Sequence, residues 1–98
     1  TYSSCDWSGV LEILDSALRH GFSESELRGI WETVPEDSVV HVRHGKQPPH
    51  YMMVGTTVDG RIVELIAFTD GFDWYLFHAM TPMTPGFKKE YIENGGML

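Results

Sequence analysis

The chain has 98 residues, with 14 acidic and seven basic side chains, a formal net charge of −7, and 42% hydrophobic against 21% charged residues. That balance excludes a disordered acidic tail, and the length leaves room for one domain (residues 1–98) but not for an enzyme with a separate cofactor domain. The charge excludes a protein that coats nucleic acid through a general positive field.

A single cysteine, Cys5, excludes an internal disulfide and fits a reducing, cytoplasmic setting. No apolar run approaches the roughly 18–20 residues that a membrane span needs, so no membrane role is expected. The chain opens at Thr1 with no basic-then-apolar signal pattern, and the missing methionine suggests that native N-terminal residues are lacking. The charge is uneven. Thr1 to Asp37 holds eight acidic and two basic residues; from Ser38 onward there are six and five, together with four of the five histidines.

In chain order, Trp7, Val10, Leu11, Leu14, Ala17 and Leu18 recur at three- and four-residue spacing, which predicts an amphipathic helix. Asp6 or Ser8 would cap it, and Gly21 would stop it. Ser23-Glu24-Ser25-Glu26 is a capping box, opening a second helix with Leu27, Ile30, Trp31 and Val34 on one face, ended by Pro35. Together they predict a helical hairpin over residues 1–36.

The period then becomes two. Strands are expected at Val39–His44, His50–Val58, Arg61–Thr69 and Phe72–Met80, filling residues 38–80. Pro48 and Pro49 mark a loop, while Asp59-Gly60 and Asp70-Gly71 mark tight hairpins. With two-residue turns, Val58 would face Arg61 and Thr69 would face Phe72. Met52, Val54, Val63, Leu65, Ala67, Trp74, Leu76 and His78 would then share one face, although a bulge would exchange a strand's faces. Both faces are apolar, and the hairpin can cover only one, leaving the other as a binding surface. Thr84 and Pro85 open a short last helix within residues 84–94. The expected fold is α+β: an N-terminal helical hairpin packed on a four-stranded antiparallel meander, with a short C-terminal helix.

His78, at the end of the fourth strand, is the candidate proton carrier, since a histidine's ordinary pKa of about 6.5 suits acid–base work near neutrality. A half-buried packing role is the competing reading. His41, Arg43, His44, Lys46 and His50 cluster around the proline loop; they read as a phosphate-contacting edge or as a charged edge strand that resists aggregation. Their spacing matches no zinc pattern, so no metal is expected. Lys88 and Lys89 share the last helix with Tyr91. There is no glycine-rich phosphate loop, no nucleophilic triad, and no cofactor is expected.

Three segments resemble BrnT-type toxins of type II toxin–antitoxin systems. Arg19-His20-Gly21-Phe22-Ser23 with Glu26 resembles their HGVSxxE segment. Tyr51 through Arg61 resembles their RYxxxGxTxDGR hairpin. His78-Ala79-Met80 with Pro82-Met83-Thr84-Pro85 and Tyr91 resembles their SAR-PMTPxExxxY close. The likeness covers about three quarters of the chain in the same order. It implies a RelE-like fold, endoribonuclease activity that arrests growth, a cognate antitoxin, and a toxin–antitoxin hetero-oligomer. It also departs from the pattern. Met80 stands for the family's arginine, Phe87 for its glutamate and His78 for its serine; Thr81 is an added residue, and the family is basic. Either His78 substitutes for the lost pair or the activity is gone.

The expected mechanism is metal-independent attack of an RNA 2′-OH on the adjacent phosphate. His78 would move the proton, Arg43, Arg61 and Lys88 would hold phosphate, and Tyr91 would orient or stack on a base; His44, Lys46 and Lys89 would contact RNA. The alternative is a catalytically inactive toxin-fold protein that binds a protein partner through its apolar sheet face, with Trp31, Trp74 and Tyr75 as anchors.

Overall fold

The computed structural model describes residues 10–98. It is α+β, built on one five-stranded mixed sheet with a helix on each face. The strands are β1 (Leu11–Ile13), β2 (Val40–Val42), β3 (His50–Thr56), β4 (Ile62–Thr69) and β5 (Trp74–Met80), in spatial order β1-β5-β4-β3-β2. Strands β2 to β5 are antiparallel neighbours in sequence order, while β1 runs parallel to β5.

The first predicted helix is not there. Over the described part of that segment the chain forms β1 and then a 3₁₀ turn, Asp15–Leu18. Leu11 fits the helical spacing, but Leu11-Glu12-Ile13 also alternates with the strand period, and pairing decided between them. Half-buried Leu11 and Ile13 flank exposed Glu12, and the strand meets the free edge of β5, where Trp74 N donates to Val10 O at 2.9 Å and Leu14 N to Leu76 O at 2.9 Å. Trp7 and the proposed caps Asp6 and Ser8 lie outside the described residues. A fifth strand therefore joins the expected four, and no helical hairpin forms within residues 10–36.

The capping box does form. Glu26 N donates to Ser23 Oγ at 3.1 Å and Ser23 N to Glu26 Oε1 at 2.9 Å, opening α1 (Glu24–Trp31). This helix buries Leu27, Ile30 and Trp31 against Met53, Val63, Leu65, Ala67, Leu76 and Ala79 of the sheet. It approaches so closely that a β-carbon on Gly55 would lie 2.7 Å from Ile30 Cγ2 and 2.8 Å from Ile30 O. On the opposite face, α2 (Pro85–Glu93) lays Phe87 and Tyr91 over Val40, Val42, Met52 and Ile66.

The register differs from the expectation in three places, one of them the β4–β5 turn, where Thr69 pairs with Trp74 and not with Phe72. Thr56 pairs with Ile62, not Val58 with Arg61. Gly60 has φ 87° and its N donates to Thr57 O at 3.0 Å, so the loop Val58-Asp59-Gly60 is a turn closed by a glycine in the left-handed region. The extra loop residue moves Met53 and Tyr51, rather than Met52 and Val54, to the α1 face. In β5 the pairing steps from Ala67↔Leu76 to Ile66↔His78, leaving Phe77 as an extra residue. Beyond this bulge the faces of β5 exchange, and His78 turns to the α2 face.

Candidate functional site

Glu64 is the lone charge in the apolar run of β4, and it is 2% exposed. Its position in the strand directs it to the α2 face, where Thr84 caps α2. Thr84 N donates to Glu64 Oε1 at 2.7 Å and Thr84 Oγ1 to the same oxygen at 3.1 Å. Thr84 Oγ1 also accepts from Phe87 N at 3.3 Å. A carboxylate at the start of a helix meets unpaired N–H groups and the positive end of the dipole, so negative charge is favoured there.

The bulge at Phe77 brings His78 to the other oxygen: its Nε2 lies 2.6 Å from Glu64 Oε2. A carboxylate only accepts, so Nε2 donates in this contact, and in a neutral ring Nδ1 would keep its lone pair. The side chain of His78 is 26% exposed. It opens onto a cleft of about 560 Å³ between the start of α2 and the 3₁₀ turn after β1, lined also by Arg19, His20 and Arg43. The His20 ring stands edge-on to His78 with centroids 5.9 Å apart. The 3₁₀ turn is tied to the bulge by Ser16 Oγ, which donates to Phe77 O at 2.6 Å.

Arg43 reaches this cleft by an unusual route. Strand β2 ends at Val42, and Arg43 has φ 51°, a left-handed conformation that costs a side-chain-bearing residue about 1–2 kcal/mol. The turn aims its guanidinium at α2, where Nε and Nη2 donate to Glu90 at 3.1 and 3.3 Å. Arg43 therefore lies on the turn, outside the strand expected over Val39–His44, and does not share a strand face with His41 as the alternation in that strand implied.

The other sequence-derived candidates lie elsewhere. Arg61 is exposed and pairs with Asp59 at 3.2 Å. With Lys88 it lines a smaller groove of about 390 Å³ beside Pro82 and Met83. Lys89 is exposed on α2. His44 and Lys46 follow Arg43 on the turn after β2; His44 Nε2 lies 3.0 Å from His41 O and its ring 4.4 Å from that of His41. Tyr91 is 1% exposed, stacked on Phe87, with its hydroxyl donating to Ser38 O at 2.6 Å. Burial pushes its phenol above the ordinary value, and no face of the ring is open to a base.

Sequence reasoning passed over Glu64, Arg19 and His20 as site residues. Glu64 had a signal, a single carboxylate among Ile62, Val63, Leu65, Ile66, Ala67 and Phe68. Buried carboxylates need partners, so it pointed to one across the sheet. Among the described residues, no three His, Cys, Asp or Glu side chains converge as metal ligands, and no helix is long and apolar enough to cross a membrane. Family models, curated proteins and solved structures gave no match to this chain.

Proposed function

We propose that this chain is a toxin of the BrnT type with a divergent RelE-like fold, cleaving RNA by attack of the 2′-OH on its own 3′-phosphate. The observation that carries the reading is the Glu64–His78 pair opening onto a cleft that also holds Arg19 and Arg43. His78 Nδ1 takes the 2′-OH proton as the 2′-oxygen bonds to phosphorus. Glu64 holds the ring in that tautomer and offsets the charge that the imidazole gains. Arg19 and Arg43 face the charge that builds on the phosphoryl oxygens. The bond from phosphorus to the 5′-oxygen breaks, and His20, the nearest second imidazole, returns a proton to that oxygen. The products are a 2′,3′-cyclic phosphate and a 5′-hydroxyl.

This arrangement answers the loss of the family's arginine and glutamate, since Arg43 on the turn after β2 and Glu64 on β4 supply the same two functional groups. Arg61, Lys88 and Lys89 fall to a flanking role along the RNA backbone, and His44 and Lys46 to the turn beside Arg43. A neighbouring antitoxin remains the expected partner.

The alternative, a protein-binding module without chemistry, draws on the same fold. Trp31 is buried with its ring 5.6 Å from that of half-buried Trp74, and α2 covers Val40, Val42, Met52 and Ile66 of the second apolar face, leaving half-buried Tyr75 outside both cores as the remaining anchor. The deciding experiment is purified protein on total RNA with EDTA present, beside induced expression with and without the adjacent open reading frame. Cleavage leaving cyclic phosphate ends, reduced at least about 100-fold in His78→Ala, is the expected result. Equal cleavage by His78→Ala removes His78 from the mechanism. No cleavage and no growth arrest, with binding to the neighbouring gene product, favours the module.

A further inference from the structure

The register that places Glu64 on the α2 face also sets a row of rings there. His50 pairs with Phe68 and Phe68 with Tyr75, so these three are direct cross-strand neighbours on β3, β4 and β5. Ring centroids lie 5.6 Å apart for His50 and Phe68, and 5.0 Å for Phe68 and Tyr75, whose planes are 17° apart. Phe77, the bulge residue, closes the group at 5.5 Å from His50 and 5.8 Å from Phe68. Phe68 and Tyr75 belong to neither core cluster; all four rings are half-buried and lean on one another. Phe77 also lines the cleft that holds His78 and Arg43, so the row begins where the cleft ends.

We propose that this row is a stacking platform for the bases of single-stranded RNA, seating the one or two nucleotides next to the phosphate held in the cleft. The inference rests on the ribonuclease reading above. Flat rings in a shallow row suit π-faces, which every base has, and such stacking tolerates sequence. The row also has an end. Asp70 accepts from Tyr75 Oη at 3.2 Å, and burial together with that carboxylate holds the Tyr75 phenol above its ordinary value. Asp73 and Glu12 add to this negative field. A phosphate is repelled there, so the strand runs from Phe77 over Phe68 and leaves the surface before Tyr75.

The test uses fluorescence anisotropy with two probes of equal length and charge: a 2′-O-methyl hexauridylate, which cannot be cleaved, and the same backbone without bases. The parent protein should bind the base-bearing probe about 5- to 100-fold more tightly. Phe68→Leu, outside both cores and not a cleft residue, should lose most of that preference and keep its affinity for the baseless strand. Equal binding of both probes by the parent, or an unchanged preference in Phe68→Leu, overturns the platform. If the parent cleaves RNA but shows no preference for bases, the platform fails and the cleft stands. If it neither cleaves RNA nor binds either probe, both readings fall.

Discussion

Glu64→Gln separates the chemistry of the site from its architecture. The carboxylate accepts from three donors, Thr84 N at 2.7 Å, Thr84 Oγ1 at 3.1 Å and His78 Nε2 at 2.6 Å, at 2% exposure. The amide oxygen can keep both Thr84 bonds. The amide nitrogen then faces His78 and can only donate, so His78 Nε2 must accept and the ring proton moves to Nδ1. That is the atom assigned to take the 2′-OH proton. Losing the general base lowers the cleavage step by about 10²- to 10⁴-fold. Stability falls far less, by about 1–2 kcal/mol, as one charge-assisted bond becomes neutral. Glu64→Ala, by contrast, strands Thr84 N–H and His78 together, at about 1–3 kcal/mol for each group left unpaired. Single-turnover cleavage gives the rate, urea denaturation the stability, and nitrogen NMR of the imidazole the tautomer. A Glu64→Gln protein that cleaves within about threefold of the parent, or whose His78 proton stays on Nε2, refutes the assignment.

Other expectations follow from single contacts. Gly55→Ala should cost about 1–3 kcal/mol in urea denaturation, because its β-carbon would meet Ile30 at 2.7 Å and the helix must shift. Tyr91→Phe should lose about 0.5–1.5 kcal/mol at neutral pH with the bond to Ser38 O. Burial raises the Tyr91 phenol, so the parent's stability is full below the unfolded value of about 10 and declines as pH rises through the folded value, a decline the phenylalanine variant should lack at this site. The Asp70 carboxyl is held low by the N–H groups of Asp73 and Phe72. Its contribution is therefore present above the unfolded value of about 3.9 and lost as pH falls through the folded one, and Asp70→Asn should flatten that acid limb in thermal melts. Glu90→Gln frees Arg43 from its carboxylate and should tighten binding of uncleavable RNA by about 2- to 5-fold, measured at fixed salt; weaker binding would place Arg43 outside the RNA site.

Local chemistry was legible where a side chain meets the backbone beside it. Ser23 with Glu26, and Thr84 before Pro85, announce helix starts that form as read. The glycines after Asp59 and Asp70 locate both hairpins. What the residues did not disclose was count and competition. A two-residue turn and a three-residue turn ending in glycine both contain Asp59-Gly60, yet they place β3 on opposite faces of the sheet. The bulge at Phe77 has no local marker, because it depends on which residues of β4 lie opposite. It alone brings His78 to Glu64. Leu11 fits the helical spacing and the strand alternation with Ile13 alike, and only the free edge of β5 decides for the strand. Arg43 was singled out as a cation, but its left-handed backbone and its reach to α2 follow from how β2 ends.

The net charge bears differently on the cleft than on the whole molecule. At physiological ionic strength charges more than about 8 Å apart are largely screened, so what RNA meets at the scissile phosphate is the cleft's own set of groups. There Arg19 and Arg43 stand against Glu64 and Glu90, with His20 and His78 able to add positive charge when protonated. Arg43 is already engaged by Glu90, and Glu64 is buried behind His78. Such a set can stabilise charge that develops on one phosphate without gripping a long backbone. Single-stranded binding loses about 0.7 in log affinity per log salt for each phosphate contact, so the two cleft arginines by themselves would contribute a slope of only about −1.4. Affinity then has to come from a source that salt does not screen. The proposed platform from Phe77 to Phe68 would be such a source, and it adjoins the cleft through Phe77 itself. On the proposed reading an acidic chain and an RNA substrate are compatible: the arginines would act on the transition state, the rings would hold the strand, and the acidic surface would discourage RNA from binding anywhere else.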